Sequence, residues 1–457
     1  MAVERAHYPL LFAICLSLFT TPLMAAGVNA VLPEIGASLE ASAAQLGLVS
    51  GVYSLGLAIF QLTSGSLGDI CGHRRIFILG AIIFCLASLC AGFCSLVYVF
   101  LFFRLCQGIG GAMLSAAGLA LLAAAAGPER RAAYLGLSGA AVYSGIACGP
   151  PVAGLIAGAI GWRWLFWLNA CASLLVGSLM RTASRVEWRP AREKPFDWAG
   201  ACYYAVAMSM LILGSASAAD RPAIGISAFC LCGLTLVFFR RHENHNVFPV
   251  LNFRLLASSR VLLLSCLAAL VNYASFFGLV FYFSFFIQIA HGMSVKITGF
   301  ILAFQPLMQL AATPLATRLC NIWPTGLVCA LGAALCGAGL LVAAFLTPAS
   351  PLGLVFVIQG LLGAGISIFS LSNTAILLES AGRENIGQAS GLTGAARTAG
   401  QLVSMCLTTA SLAFFLGSEP VSIATLPGFM QSMRVNLVVL GLLNICAVWM
   451  ALARNHD

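Results

Sequence analysis

AGPERRAAYLGLSGAAVYSG (residues 126–145) and AGRENIGQASGLTGAARTAG (381–400) align without a gap. Identities fall at Ala126/Ala381, Gly127/Gly382, Glu129/Glu384, Gly136/Gly391, Leu137/Leu392, Gly139/Gly394, Ala140/Ala395, Ala141/Ala396 and Gly145/Gly400. Gly- and Ala-rich composition accounts for some of these matches, but not for the paired glutamates beside the polar break. Just upstream, QGIGGA (107–112) echoes QGLLGA (359–364) with a slip of one helical turn. The chain therefore uses the same unit twice: a charged connection, then a glycine-rich apolar helix.

The surroundings of both copies are apolar. Hydrophobic residues make up 61% of the 457 and charged ones 8%, against about a quarter charged in soluble domains. Runs of about 20 apolar residues, enough to cross a bilayer as a helix, recur throughout. About fourteen spans are expected, near 8–31, 44–64, 76–95, 97–126, 133–160, 163–180, 198–219, 223–239, 261–290, 295–317, 325–346, 352–378, 387–416 and 432–453. The first run is longer than a signal-peptide core and leads into a second span after a short polar break, so it is taken as a span. The two repeat copies follow spans four and twelve. Two six-span halves with an extra pair between them produce that offset, and parallel halves with a binding site at their interface are an established transporter plan. The expected units are residues 1–184, 185–258 (the inserted pair with its linkers) and 259–457.

Basic residues orient the spans. With both ends cytoplasmic, the inner connections hold Arg5, Arg74, Arg75, Arg130, Arg131, Arg181, Arg185, Arg189, Arg192, Lys194, Arg240, Arg241, Arg254, Arg260, Arg318, Arg383 and Arg454. The outer ones hold Arg163, Arg221, Lys296 and Arg434. This bias is the positive-inside pattern of an inner (plasma) membrane protein. It accounts for the net charge of +9 through anionic lipid, with no nucleic acid. The seventeen cysteines lie mostly in apolar runs and read as small buried hydrophobes, not metal ligands. No GxxxxGK[ST] phosphate loop is present, so no ATP hydrolysis is expected. No nucleophile, base or metal set converges for a membrane enzyme, and neither a metal nor a cofactor is expected.

Four motifs remain. GSLGDICGHRR (65–75) supplies Gly65, Leu67, Gly68, Asp69, Gly72, Arg74 and Arg75 in a tight charged turn between spans two and three. LFFRLCQGIGGA (101–112) carries Arg104 and Gln107 inside an apolar run, where an unpartnered charge is costly. SGIACGPPVAG (144–154) combines Gly145, Gly149 and Gly154 with Pro150 and Pro151, which remove backbone hydrogen bonds and bend a helix. AGVNAVLPEI (26–35) places Asn29 and Pro33 late in span one.

These motifs resemble those of the major facilitator superfamily, in particular its fourteen-span drug:proton antiporter branch, over nearly the whole chain. The resemblance implies an all-α membrane fold of two six-helix bundles plus an inserted pair. It also implies alternating access and proton-linked export of small amphipathic drugs or toxic compounds, and some relatives partner a periplasmic adaptor. In that reading the 65–75 turn is a cytoplasmic gate, departing from G-x-L-[GA]-D-R-x-G-R-[RK] at Ile70 and His73, and the 144–154 segment is an antiporter hinge.

The span-one motif, AGVNAVLPEI, resembles D-x-T-x-V-N-x-A-L-P, but Met24 stands where the family has its membrane-embedded aspartate. Glu34, Asp69 and Glu379 are the candidate proton carriers in its place. Arg104 and Arg397 leave the membrane interior positive, so neutral or anionic amphipaths fit better than cations. Met24, Asn29, Gln107, Asn272, Phe277, Phe281, Tyr282 and Gln288 are the candidate cavity residues, the last five from the aromatic ninth span. The alternative function is a facilitator or uptake carrier for a neutral or anionic metabolite with weak or no proton coupling. A membrane enzyme or a sensor ranks below both.

Overall fold

The computed structural model describes residues 2–125, 131–183, 187, 195–218, 221–246, 249–381 and 386–456. Ala126, Gly127, Glu129, Gly382 and Glu384 of the repeat lie outside them. Fourteen helices long and apolar enough to cross a membrane are present among the described residues. The first six are α1 (Ala2–Leu39), α2 (Ala43–Cys71), α3 (His73–Phe93), α4 (Val97–Ala125), α5 (Arg131–Ile160) and α6 (Arg163–Ala183). The inserted pair is α7 (Trp198–Ser217) and α8 (Pro222–His245), followed by a short helix α9 (Phe253–Ser258). Then come α10 (Arg260–Phe285), α11 (Val295–Leu302), α12 (Phe304–Ile322), α13 (Thr325–Ala344), α14 (Leu352–Ala381), α15 (Ile386–Leu416) and α16 (Leu426–Leu452).

Local signals explain the boundaries. Ser42 starts α2 with a capping box: its hydroxyl accepts from Gln45 N–H while the Gln45 side chain accepts from Ser42 N–H, so two orphan donors are satisfied together. The two sequence surprises are in the ninth and tenth spans. The ninth ends in a π-helical turn, Phe286–Ala290. The tenth is two helices, α11 and α12, interrupted at Ala303.

The two halves repeat one neighbour pattern. In the first, α1 packs on α5 and α6, α4 on α2 and α3, and α3 on α6. In the second, α10 packs on α15 and α16, α14 on α12 and α13, and α13 on α16. Each relation in the first list has its counterpart in the second, as parallel repeats require. The halves meet through α2 against α15 and α5 against α11, which exchange under the same pseudo-two-fold relation. Helix α7 lies over one of these seams, against both α2 and α15. Large apolar side chains such as Phe12, Leu86, Phe93, Leu174, Leu234, Phe414 and Trp449 are exposed. That surface is costly in water and suits a bilayer.

An even number of crossings puts both chain ends on one face, termed inner. Three hydrogen bonds join the halves toward the outer face: Ala43 N–H to the Glu419 carbonyl (3.1 Å), and Gln288 Nε2 and Ser284 Oγ to the Ala30 carbonyl (2.9 and 3.2 Å). These bonds tie the halves together on the outer side.

Candidate transport chamber and gates

The inner turn is built around Gly72, the single residue between α2 and α3. Its φ of 111° is reserved for glycine, and the Glu187 carboxylate fills the space where a Cβ would stand. Glu187 Oε1 accepts from the N–H groups of Arg74 (3.0 Å) and Arg75 (3.2 Å). An anion thus sits on the N-terminus of α3, where free donors and the helix dipole favour it. The Arg74 guanidinium donates to the Arg181 carbonyl at 3.0 Å, and Arg75 lies 3.7 Å from Glu187. Asp69 meets His73 at 2.8 Å, one turn on, so His73 acts where the family pattern has a basic residue. Gly68 underlies the His73 ring, whereas Gly65 has nothing within 4 Å. Leu67 is half-buried against the core.

Gly72→Ala is therefore expected to cost about 1–3 kcal/mol of backbone strain in addition to displacing Glu187. Thermal unfolding in detergent should show a lowered midpoint, with Gly65→Ala unchanged as the control. An unchanged midpoint for Gly72→Ala would show that the turn is not anchored this way.

Arg104 is 1% exposed. Its Nε donates to the Val49 carbonyl (3.3 Å), its NH1 to Gln107 Oε1 (2.8 Å), and its guanidinium lies 4.5 Å from the centre of the Tyr53 ring. Gln107 Nε2 donates onward to Ser88 Oγ (2.8 Å), which Asn169 also reaches at 3.4 Å. Among the described residues no carboxylate touches this arginine. A carbonyl, an amide and an aromatic face solvate it, across helices α2, α3, α4 and α6.

The glycines of α5 are points of backbone contact. A Cβ on Gly145 would overlap the Phe19 carbonyl, and one on Gly149 would lie 2.7 Å from the Leu23 carbonyl, both on α1. Gly154 faces the Val295 carbonyl of α11 in the other half, and Gly299 of α11 rests on the Pro150 carbonyl and Pro151. The Pro150–Pro151 stretch of α5 thus bears on α11, the first segment of the interrupted tenth span.

At mid-depth the Tyr143 hydroxyl of α5 faces Ser370 of α14 and Gln309 of α12, and the Arg397 guanidinium is close enough to act on it electrostatically. Tyr273 joins Ser370 at 3.4 Å. Arg397 is exposed although it lies six residues inside the span Gly391–Leu416. One turn away, Gly394 faces Gln61 of α2, which bonds Ser115 at 3.0 Å. These groups lie between the halves, on α2, α5, α10, α12, α14 and α15. Every described acid instead occupies a connection or the terminal turns of a helix. Glu34 is half-buried toward the outer end of α1, and Glu379 is exposed toward the inner end of α14.

The other sequence candidates lie elsewhere in this state. Met24 is fully buried. Asn29 accepts from Ser50 at 2.6 Å, and Asn272 donates to Asn444 at 3.3 Å. Phe281 and Tyr282 are buried; Tyr282 stacks near Phe429 and bonds Ser432. Phe277 packs against the core, Gln288 joins the halves on the outer side, and Gln107 belongs to the Arg104 network. The sequence reading missed Tyr143, Tyr273, Gln309 and Ser370. The usable signal was Tyr143, one position beyond the repeat equivalent of Arg397.

A family model described as "Major Facilitator Superfamily" matches residues 14–405. The chain is 29% identical over 398 residues to the "Uncharacterized transporter YebQ" of Escherichia coli (strain K12), covering 86% of this chain and 87% of that protein. It is 29% identical over 404 residues to the "Tetracenomycin C resistance and export protein" of Streptomyces glaucescens, covering 86% and 73%. It is 28% identical over 404 residues to the "Methylenomycin A resistance protein" of Bacillus subtilis (strain 168), covering 87% and 86%. Among solved structures, a bacterial homolog of the human lysosomal transporter Spinster, inward-facing and occupied, superposes with a TM-score of 0.68 at 16% identity over 97% of this chain and 96% of that one. That likeness establishes the fold.

Proposed function

Because the chain belongs to the Major Facilitator Superfamily, we propose that it exports small amphipathic compounds, neutral or anionic, by alternating access. It is a multi-pass membrane transporter and not an enzyme. The moving units are residues 1–184 and 259–457, rocking about the α2–α15 and α5–α11 seams. The inner face is the cytoplasmic side of the plasma membrane, which the positive-inside bias supports. The 65–75 turn serves as the inner gate and Gly145–Gly154 as the pivot. A periplasmic adaptor rests on the family resemblance alone; cross-linking in intact envelopes checks it. One relative named as a tetracenomycin C resistance and export protein, and another named as a methylenomycin A resistance protein, support the direction.

The observation that carries the substrate class is Arg397, exposed inside a span and beside Tyr143, with no described acid at that depth. A cationic drug meets no counter-charge there, while a carboxylate or phenolate meets a guanidinium beside two tyrosine hydroxyls. Arg397→Gln is expected to lower export of an anionic dye such as fluorescein about tenfold, the worth of about 1.4 kcal/mol, with less effect on a neutral dye. Efflux from preloaded cells measures both. Equal losses for both dyes would refute anion selection.

Proton coupling is the finer part of the proposal. Among Glu34, Asp69 and Glu379, Asp69 is engaged by His73, and Glu379 is exposed at the inner end. Glu34 stands one turn beyond Ala30, whose carbonyl receives Gln288 and Ser284 of the other half. An acid beside that junction can take up a proton when the outer side opens. Export driven by an imposed pH gradient should therefore drop in Glu34→Gln. Export that ignores the gradient in both proteins would leave an uncoupled facilitator, the alternative reading.

A further inference from the structure

Two acids outside the chamber meet in a way the transport reading does not use. Asp197 precedes α7 and caps it: Oδ1 accepts from Gly200 N–H at 2.9 Å. The same oxygen meets His242 Nε2 at 2.8 Å. Glu243, near the end of α8, accepts from Leu251 N–H through Oε2 at 3.0 Å. Asp197 is 8% exposed and Glu243 2%. Their remaining oxygens, Asp197 Oδ2 and Glu243 Oε1, are both buried without a partner. Both crowd the one spot above Gly200 where a Cβ would stand.

Two carboxylates pressed together cannot both be ionised cheaply, and buried lone pairs without donors are costly. A single hydrogen between the two orphan oxygens removes both problems: it makes one acid a donor and the other its acceptor. We propose that Asp197 and Glu243 form a proton-binding site that holds one shared proton between Asp197 Oδ2 and Glu243 Oε1. The charge resides on Asp197 and the proton on Glu243. Burial alone raises the Asp197 carboxyl, but the bonds from Gly200, His242 and Asn246 outweigh it and hold it below its ordinary range.

Among the other described groups, Asn246 also bonds Asp197, yet Asp197 Oδ2 and Glu243 Oε1 keep no donor. Tyr203 of α7 stacks on the His242 ring. Arg240 and Arg241 of α8 are exposed, and Arg254 of α9 donates to the Asn244 carbonyl. His242 is thus the basic group in direct contact.

The proton fastens three pieces together: the start of α7, the end of α8 and the connection at Leu251. That connection passes through α9 directly into α10, the first helix of the second half. At its other end, α7 lies over the α2–α15 seam, with Ile212 against Gly51. Deprotonation on the inner side should therefore loosen the tie between the inserted pair and the second half.

The sign follows from linkage. The folded chain keeps a proton that the unfolded chain releases in the ordinary glutamic acid range, so this contribution to stability falls as pH rises. The fall reaches up to about tenfold in the folding equilibrium per pH unit until the folded site also deprotonates.

The test uses the full-length protein in detergent. Infrared spectra at about pH 7 should contain a protonated-carboxyl C=O band that is absent from Glu243→Gln. Unfolding midpoints taken from about pH 4.5 to about pH 8 should fall more steeply for wild type than for Glu243→Gln. The glutamine amide donates permanently to Asp197 and cannot lose its hydrogen as the acid does. Asp197→Asn, which removes the shared acceptor charge, should likewise flatten the profile. Identical infrared spectra, or parallel pH profiles for the three proteins, would overturn the proposal; a uniform drop in midpoint without a change of slope would mark the pair as packing only.

Discussion

Gly145→Val is expected to reduce export at least tenfold and to lower the unfolding midpoint, whereas Gly139→Ala on the same helix leaves the midpoint unchanged. At Gly145 the new side chain meets the Phe19 carbonyl, a backbone atom that can yield only if α1 moves as a whole. Overpacking of this kind costs about 1–3 kcal/mol, and small residues at helix contacts are what allow membrane helices to approach closely. Gly149 makes a similar approach to the Leu23 carbonyl one turn later, so both glycines set the α1–α5 spacing. Gly139 has nothing within 4 Å. Fluorescence-monitored unfolding and dye efflux, run side by side, distinguish a contact glycine from a merely helix-weakening one. A Gly145→Val protein with native midpoint and native efflux would remove the close approach from the account.

Arg104→Met is expected to lose export and most of its folded yield, and Arg104→Lys to resemble it more than wild type. Removing the guanidinium leaves the Val49 carbonyl and Gln107 Oε1 without their donor, in a region 1% exposed at its centre. Each buried acceptor left without its donor costs about 1–3 kcal/mol. A lysine places a compact charge at one point and cannot serve two acceptors while stacking flat on Tyr53. The double substitution Arg104→Met/Gln107→Leu removes the Gln107 Oε1 left unpaired and should recover part of the folded yield, as measured by size-exclusion chromatography. If export returns with it, Arg104 holds the first half together and nothing more. If yield returns without export, the positive charge itself serves transport.

The fold was legible because its causes are local. A span needs only about 20 apolar residues in a row, and all fourteen expected spans have a counterpart helix. The repeat at 126–145 and 381–400 anticipated the recurring neighbour pattern of α1–α6 and α10–α16. The interruption at Ala303 escaped notice because an apolar run reads the same with or without a break. The aromatic ninth span misled for a related reason. Helical spacing reveals that Phe281 and Tyr282 sit among other aromatics, but not which neighbour covers them; here it is Phe429 and Ser432 of α16.

The amino-acid order by itself determined that this chain spans a bilayer, that its halves are related, and that the acid expected near Met24 is missing. The first two are properties of composition and periodicity, the third of the family resemblance, and no partner is needed to express them. Tertiary structure decided which polar residues meet. Glu187 reaches Gly72 from beyond α6, Gln107 reaches Ser88 from another helix, and Asp197 finds Glu243 at the far end of a helix pair. Each of those pairings depends on where two helices cross, and a crossing is set by packing over the whole bundle, not by any short stretch of chain.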